Sequence, residues 1–120
     1  MATTVRSTEE VFRDHLRLRA AHDLDADLQC NYAPDVVLLC RYGVFVGLDE
    51  VRESAARLHH QLPHARYEYL SCQTHGEYAF LEWRAESETC HVEDGADSYV
   101  IRGGRIVMQT IHYTLIPKNP

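Results

Sequence analysis

Two residues that could move a proton flank one tight turn. Asp97 lies six residues before Gly103, and His112 lies eight residues after Gly104. A histidine beside a carboxylate is held in one tautomer and can exchange a proton near neutral pH. The unequal counts mean that a bulge or stagger must align the two. Side-chain alternation works against His112, because Val107, Ile111, Tyr113 and Leu115 make the more apolar side of their strand and His112 stands opposite. A polar cross-strand pair on the outer face is therefore the competing reading. Asp97 and His112 are the candidate catalytic pair.

The candidate binding residues are aromatic, with one thiol. Trp83 alternates in phase with Leu81 and Ala85 and offers a flat wall with one N–H donor. The chain has seven tyrosines against three phenylalanines, so hydroxyl tips are plentiful on apolar bodies. Buried hydroxyls need partners, and a ligand can supply them. Tyr32, Tyr99 and Tyr113 join Trp83 as candidate substrate contacts, with core packing or a subunit interface as the plainer alternative. Cys40 joins them if Val36, Leu38 and Cys40 share the inward face. No neighbour that would activate its thiol can be named, so an inert core thiol is the simpler role. Glu82 and Arg84 share a strand side and read as an outer-face charge pair, with an anion-orienting Arg84 as the lesser option.

Other chemistries lack support in the sequence. His59 and His60 are neighbours on a helix and cannot face one ion, and Pro63 separates His60 from His64. No metal site is expected. Gly103-Gly104 joins two strands rather than opening a helix, so no nucleotide cofactor is expected either. Cys30, Cys40, Cys72 and Cys90 have no C-x-x-C spacing and read mainly as small buried hydrophobes in a reducing compartment. Twelve basic residues against 18 acidic ones give a net charge of −6, which disfavours nucleic acid and anionic membranes as partners. Met1-Ala-Thr-Thr-Val-Arg is no apolar leader, and no apolar run reaches membrane-spanning length. A cytoplasmic protein forming one domain over residues 1–120 is expected.

The elements that must position these residues follow from periodicity. Ser7 and Glu10 form a capping-box pattern before Phe12, Leu16 and Ala20, with Val11 and His15 beside that stripe and Arg13, Arg17 and Arg19 on the outer face. A second helix starts at Asp23 or Asp25, carries Leu24, Leu28 and Tyr32, and runs to Pro34. Val36 to Tyr42 is a strand, with a short return strand at Val44-Phe45-Val46. A third helix starts near Leu48-Asp49-Glu50, with Val51, Ala55, Leu58 and Leu62 as its stripe, and Pro63 closes it. Strands then cover Ala65–Gln73, Tyr78–Ser87, Ser98–Arg102 and Arg105–Ile116. Glu93-Asp94-Gly95 is a turn or a bulge within a long strand. Helices followed by a run of antiparallel strands predict an α+β fold. A curved sheet that wraps them only partly leaves a cavity.

Four stretches carry a family resemblance. They are Asp25 to Asp35, ending Asn-Tyr-Ala-Pro-Asp; Gly47-Leu48-Asp49-Glu50-Val51-Arg52; Phe80-Leu81-Glu82-Trp83-Arg84; and Gly103-Gly104-Arg105-Ile106-Val107-Met108-Gln109. In this order and spacing the chain resembles the nuclear transport factor 2-like superfamily, in particular its SnoaL-like domains, with ketosteroid isomerases and polyketide cyclases as relatives. The resemblance implies a cone-shaped, mostly antiparallel sheet on three helices of the N-terminal half, with a deep apolar pocket. It also implies a homodimer packed through the outer sheet face. Matching residue by residue puts Cys40 at the isomerase base, Leu16 at its tyrosine donor and Ala96, one residue from Asp97, at its second acid. Isomerase activity on ketosteroids is therefore not expected. The leading expectation is a small-molecule pocket protein, without a cofactor, performing acid–base chemistry on a hydrophobic, oxygenated substrate. The alternative is a non-catalytic binding or dimerisation module of the same fold.

Overall fold

A computed structural model describes residues 4–118. Met1 to Thr3 and the last two residues lie outside it, so the reading of the N-terminal leader falls partly beyond the described residues. Helix α1 (Thr8–Ala20) opens on the capping box: Ser7 Oγ accepts from the Glu10 amide, and Glu10 Oε1 accepts from the Ser7 amide. Helix α2 (Leu24–Asn31) is capped by Asp23, whose carboxylate accepts from the Ala26 amide. It ends before Pro34. Tyr32 already has an extended backbone and begins strand β1 (Tyr32–Cys40). Pro34 falls where pairing to the neighbouring strand skips from Tyr32 to Val37, so its missing N–H costs no ladder bond.

After β2 (Gly43–Val46) comes α3 (Leu48–Gln61), then β3 (Arg66–His75), β4 (Tyr78–Glu86), β5 (Cys90–Arg102), β6 (Arg105–His112) and a short β7 (Ile116–Pro117). The sheet runs β2-β1-β6-β5-β4-β3. Only the β1–β6 pair is parallel. Gly103 and Gly104 hold φ of +61° and +78°, the left-handed pair that a two-residue hairpin needs. The expected last strand breaks at residues 113–115. There the Thr114 amide and hydroxyl donate to Asp94, at 2.8 and 2.7 Å, and β7 resumes against β5.

Strand β5 is continuous through Glu93-Asp94, which forms a bulge. Trp83 pairs with Gly95 and Ala85 with Val92, so two residues of β5 oppose Arg84 alone. The inward side of β5 is Val92 before the bulge and Gly95, Asp97, Tyr99 and Ile101 after it. Gly95 is required there: a Cβ would lie 2.2 Å from the Trp83 indole. The inward sides of β4, β5 and β6 meet the helices in a core that includes Phe12, Leu28, Leu81, Trp83, Tyr99 and Ile106. Along α3 the stripe buries Val51 and Leu62 fully but leaves Ala55 and Leu58 half-buried. These two face a void rather than packed side chains. Cys30 and Cys72 are exposed, against the expectation of buried thiols, and all four cysteines are free. No helix of the described residues is long and apolar enough to cross a membrane.

Candidate active site

Between α1, α3 and the concave side of the sheet lies a cavity of about 520 Å³. Its wall is mostly apolar, with Leu16, Leu38, Leu58, Leu62, Leu81 and Ile111 among its residues. Against this apolar wall stands one carboxyl at the centre of the sheet, Asp97, which is 7% exposed. The indole N–H of Trp83 donates to Asp97 Oδ1 at 2.9 Å. Tyr99 OH donates to Oδ2 at 3.1 Å, and Gln109 Nε2 approaches Oδ2 at 3.4 Å. Burial pushes the Asp97 carboxyl above the usual carboxylate range, and these hydrogen bonds offset only part of that effect.

His15 reaches the same cluster from α1. Its Nε2 lies 3.1 Å from Tyr99 OH, and its Nδ1 lies 2.8 Å from Asp27 Oδ2. That carboxylate oxygen also accepts from Arg19 Nε at 2.7 Å, while Asp27 Oδ1 accepts from Asn31 Nδ2 at 2.9 Å. Burial opposes the charge of Asp27, but His15, Arg19 and Asn31 outweigh it and hold the carboxyl below its usual range. An ionised Asp27 requires the His15 proton on Nδ1, which fixes the tautomer.

Counting protons then leaves two arrangements for the same heavy atoms. In one, His15 is an imidazolium whose Nε2–H donates to Tyr99, and the Tyr99 O–H donates to an Asp97 carboxylate. In the other, Asp97 carries the proton and donates to Tyr99, whose O–H donates to neutral His15. Passing between them moves one proton along the chain and changes no position. Among the described residues no buried side-chain nitrogen or oxygen lacks a partner.

The residues singled out from sequence are not all brought together. Asp97, Trp83, Tyr99, Tyr113 and Cys40 line the cavity. His112 does not join Asp97. It pairs with Ala96 across the ladder, its side chain is 65% exposed, and its Nε2 sits 3.6 Å from Asp94 on the outer face. Strand alternation puts its neighbours Ile111 and Tyr113, not His112, on the cavity side. Tyr32 is corrected as well. It is 1% exposed and stands behind the wall, where its hydroxyl donates to Gln109 Oε1. It orients the amide that faces Asp97 and does not line the cavity. Arg84 pairs with Glu68 on the outer face at 2.8 Å. Arg19, expected outside, turns inward to Asp27 because it stands four residues after His15 on the same face of α1.

Three members of the cluster carried no role in the sequence reading: His15, Asp27 and Gln109. The signal for His15 was its place beside the apolar stripe of α1. Asp27 and Asn31 share one side of α2 at four-residue spacing, which was the available sign of a buried polar edge. Among the described residues no three His, Cys, Asp or Glu side chains are grouped to hold a metal ion.

The comparisons with known proteins agree with this fold. An NTF2-like protein of unknown function from Burkholderia xenovorans superposes with a TM-score of 0.74 at 22% identity, covering 94% of this chain and 87% of that one. A candidate polyketide cyclase from Sinorhizobium meliloti superposes at 0.72, with 16% identity over 89% of this chain and all of the other (100%). TerC, crystallised with polyporic acid, gives 0.74 at 16% identity, covering 89% of this chain and 91% of that one. At these identities the likeness establishes a common fold. No curated protein matches the chain in sequence. The family model described as the SnoaL-like domain matches residues 12–109, from the first buried aromatic of α1 to the Gln109 that faces Asp97. This protein is thus a member of the SnoaL-like family, within the nuclear transport factor 2-like fold.

Proposed function

We propose that the protein is a small-molecule enzyme of the SnoaL type, performing acid–base chemistry without a cofactor on a hydrophobic, oxygenated substrate. The observation that carries this reading is Asp97, a desolvated carboxyl where the sheet's apolar side chains line the cavity. Such a carboxyl holds its proton more tightly than a solvated one and can give it to, or take it from, a carbonyl or hydroxyl of a bound molecule. Tyr99 and His15 restore the proton by the exchange described above. Trp83 and Gln109 steady the carboxyl. A cyclase, an isomerase of simple ketones and a dehydratase all need this step, and the polyporic acid with which TerC was co-crystallized is consistent with a cavity suited to oxygenated rings. The alternative, a binding module, expects no titratable group in the cavity, and Asp97 and His15 favour the catalytic reading over it.

The test uses 2-tetralone in deuterium oxide, with exchange of its acidic C–H followed by NMR. Wild type is expected to accelerate exchange over buffer, and Asp97→Asn to lower that rate by roughly 100-fold or more with the fold retained. Binding of 2-tetralone with no accelerated exchange would favour the binding module.

The same reading extends to assembly and setting. Tyr78, Phe80, Leu39 and Leu70 are 63%, 38%, 41% and 49% exposed on the convex side of the sheet. They support a homodimer through that face, which a monomeric mass by light scattering would refute. Free thiols support a reducing cytoplasm, and the net charge of −6 disfavours nucleic acid.

A further inference from the structure

A row of aromatic rings leads from Asp97 to an arginine. Trp83, bonded to Asp97, packs on Tyr113 with ring centroids 5.8 Å apart, and Tyr113 packs on Tyr42 at 6.3 Å. The Arg57 guanidinium lies 4.5 Å above the Tyr42 ring. All of these residues line the cavity. Gln61 ties the row together, since its Nε2 donates to Tyr42 OH at 3.0 Å and its Oε1 accepts from Tyr113 OH. With its oxygen accepting from Gln61, Tyr42 keeps its own O–H to donate.

Arg57 is the unspent charge of this row. It forms no ion pair and no hydrogen bond with another side chain among the described residues, whereas Arg19, the other arginine of the wall, is committed to Asp27. The acids of the wall are Asp23 and Asp97. Asp23 caps α2, and Asp97 sits behind three rings. The wall also carries His22, His59 and His64, so the cavity is lined by bases in a chain whose net charge is −6. A guanidinium fork matches the two oxygens of a carboxylate, and stacking on Tyr42 holds it in place without using its donors.

We propose that the cavity takes a flat aromatic carboxylate, whose rings lie along Trp83, Tyr113 and Tyr42, whose carboxylate is held by Arg57, and whose far end meets Asp97. This rests on the cavity being a small-molecule site and names the class of molecule. The anion fixes which end of the ligand enters first. The acid–base group therefore meets the apolar, oxygen-bearing end and never the carboxylate.

The experiment is calorimetric titration of wild type and Arg57→Gln with 2-naphthoate and with its neutral counterpart 2-naphthamide. The Trp83 indole N–H resonance is followed in parallel. Arg57 is exposed, so the variant keeps its fold. Wild type is expected to bind the carboxylate about tenfold more tightly than the amide, the effect of one charge-assisted contact. Arg57→Gln is expected to erase that preference and leave the amide affinity unchanged, with the Trp83 resonance shifting in every bound case. Equal affinities in wild type, or a preference that survives Arg57→Gln, overturn the role of Arg57. If the indole still shifts, the cavity stands as a ligand site. If neither compound binds at millimolar concentration and the indole does not move, the anion inference falls together with the small-molecule reading.

Discussion

Strands β5 and β6 present an aspartate near a histidine on each of their two faces, and the two environments have opposite effects. On the concave face Asp97 is nearly free of solvent, tied to His15 through Tyr99, and its carboxyl is pushed up by burial. On the convex face Asp94 is exposed, accepts from the Thr114 hydroxyl and amide, and is held below its usual range by those bonds, with His112 adding a smaller effect in the same direction. One pair is shielded from water and joined through a tyrosine hydroxyl; the other is a solvated clasp between two strands. Residue type therefore says little about role here. Access to water decides it.

The largest effect that would sharpen this contrast lies at Asp27. Replacing it with Ala leaves Arg19 and the His15 N–H facing a buried gap, and is expected to lower unfolding free energy by about 3–5 kcal/mol in urea denaturation. A loss below about 1 kcal/mol would mean that the concave network is as weakly coupled as the convex one.

The pH dependence of stability separates the two buried acids by sign. Asp97 has a folded-state value above its unfolded one, so its contribution is full at acid pH and is lost as pH rises through the folded value. Asp27 has a folded-state value below its unfolded one, so its contribution is present above the unfolded value and is lost as pH falls through the folded one. Asp97→Asn is therefore expected to gain stability relative to wild type on going from acid to neutral pH, and Asp27→Asn to lose it. Denaturation midpoints measured from pH 3 to pH 8 check both, and parallel curves would show that the two carboxyls are equally solvated.

The smallest effect belongs to the convex face. His112→Ala is expected to change stability by less than about 0.5 kcal/mol and to leave 2-tetralone exchange unaltered. A slowed exchange would return His112 to the catalytic pair.

Much of the frame was legible in the residues. The Ser7–Glu10 box, the α3 stripe, the glycine hairpin and the phase of Trp83 are local patterns, and each folds as the pattern requires. The SnoaL-like resemblance was legible as well. Which histidine serves Asp97 was not. His112 is close to it in sequence and hairpin register, whereas His15 is 82 residues away and arrives only when α1 docks on the sheet. Tyr32 and Arg19 were misplaced for a related reason. A polar side chain that completes a buried network looks, in sequence, like one that faces a ligand or the solvent. Asp27 shows the same limit, since its neutralising partners come from α1.

The extra residue at Glu93-Asp94 sets the phase of everything that follows it along β5. Before it, even-numbered positions such as Val92 face the helices; after it, odd-numbered ones do. Were β5 to run on from Val92 in strict alternation, without this bulge, Asp97 would turn to the convex side and Ala96 and Ser98 would come inward, with no side chain's chemistry altered. The alignment of the isomerase acid with Ala96, one position short of Asp97, marks the same offset. Within this architecture, one residue of length in β5 decides which position of the chain carries the buried acid, while the acid's place in the cavity stays fixed.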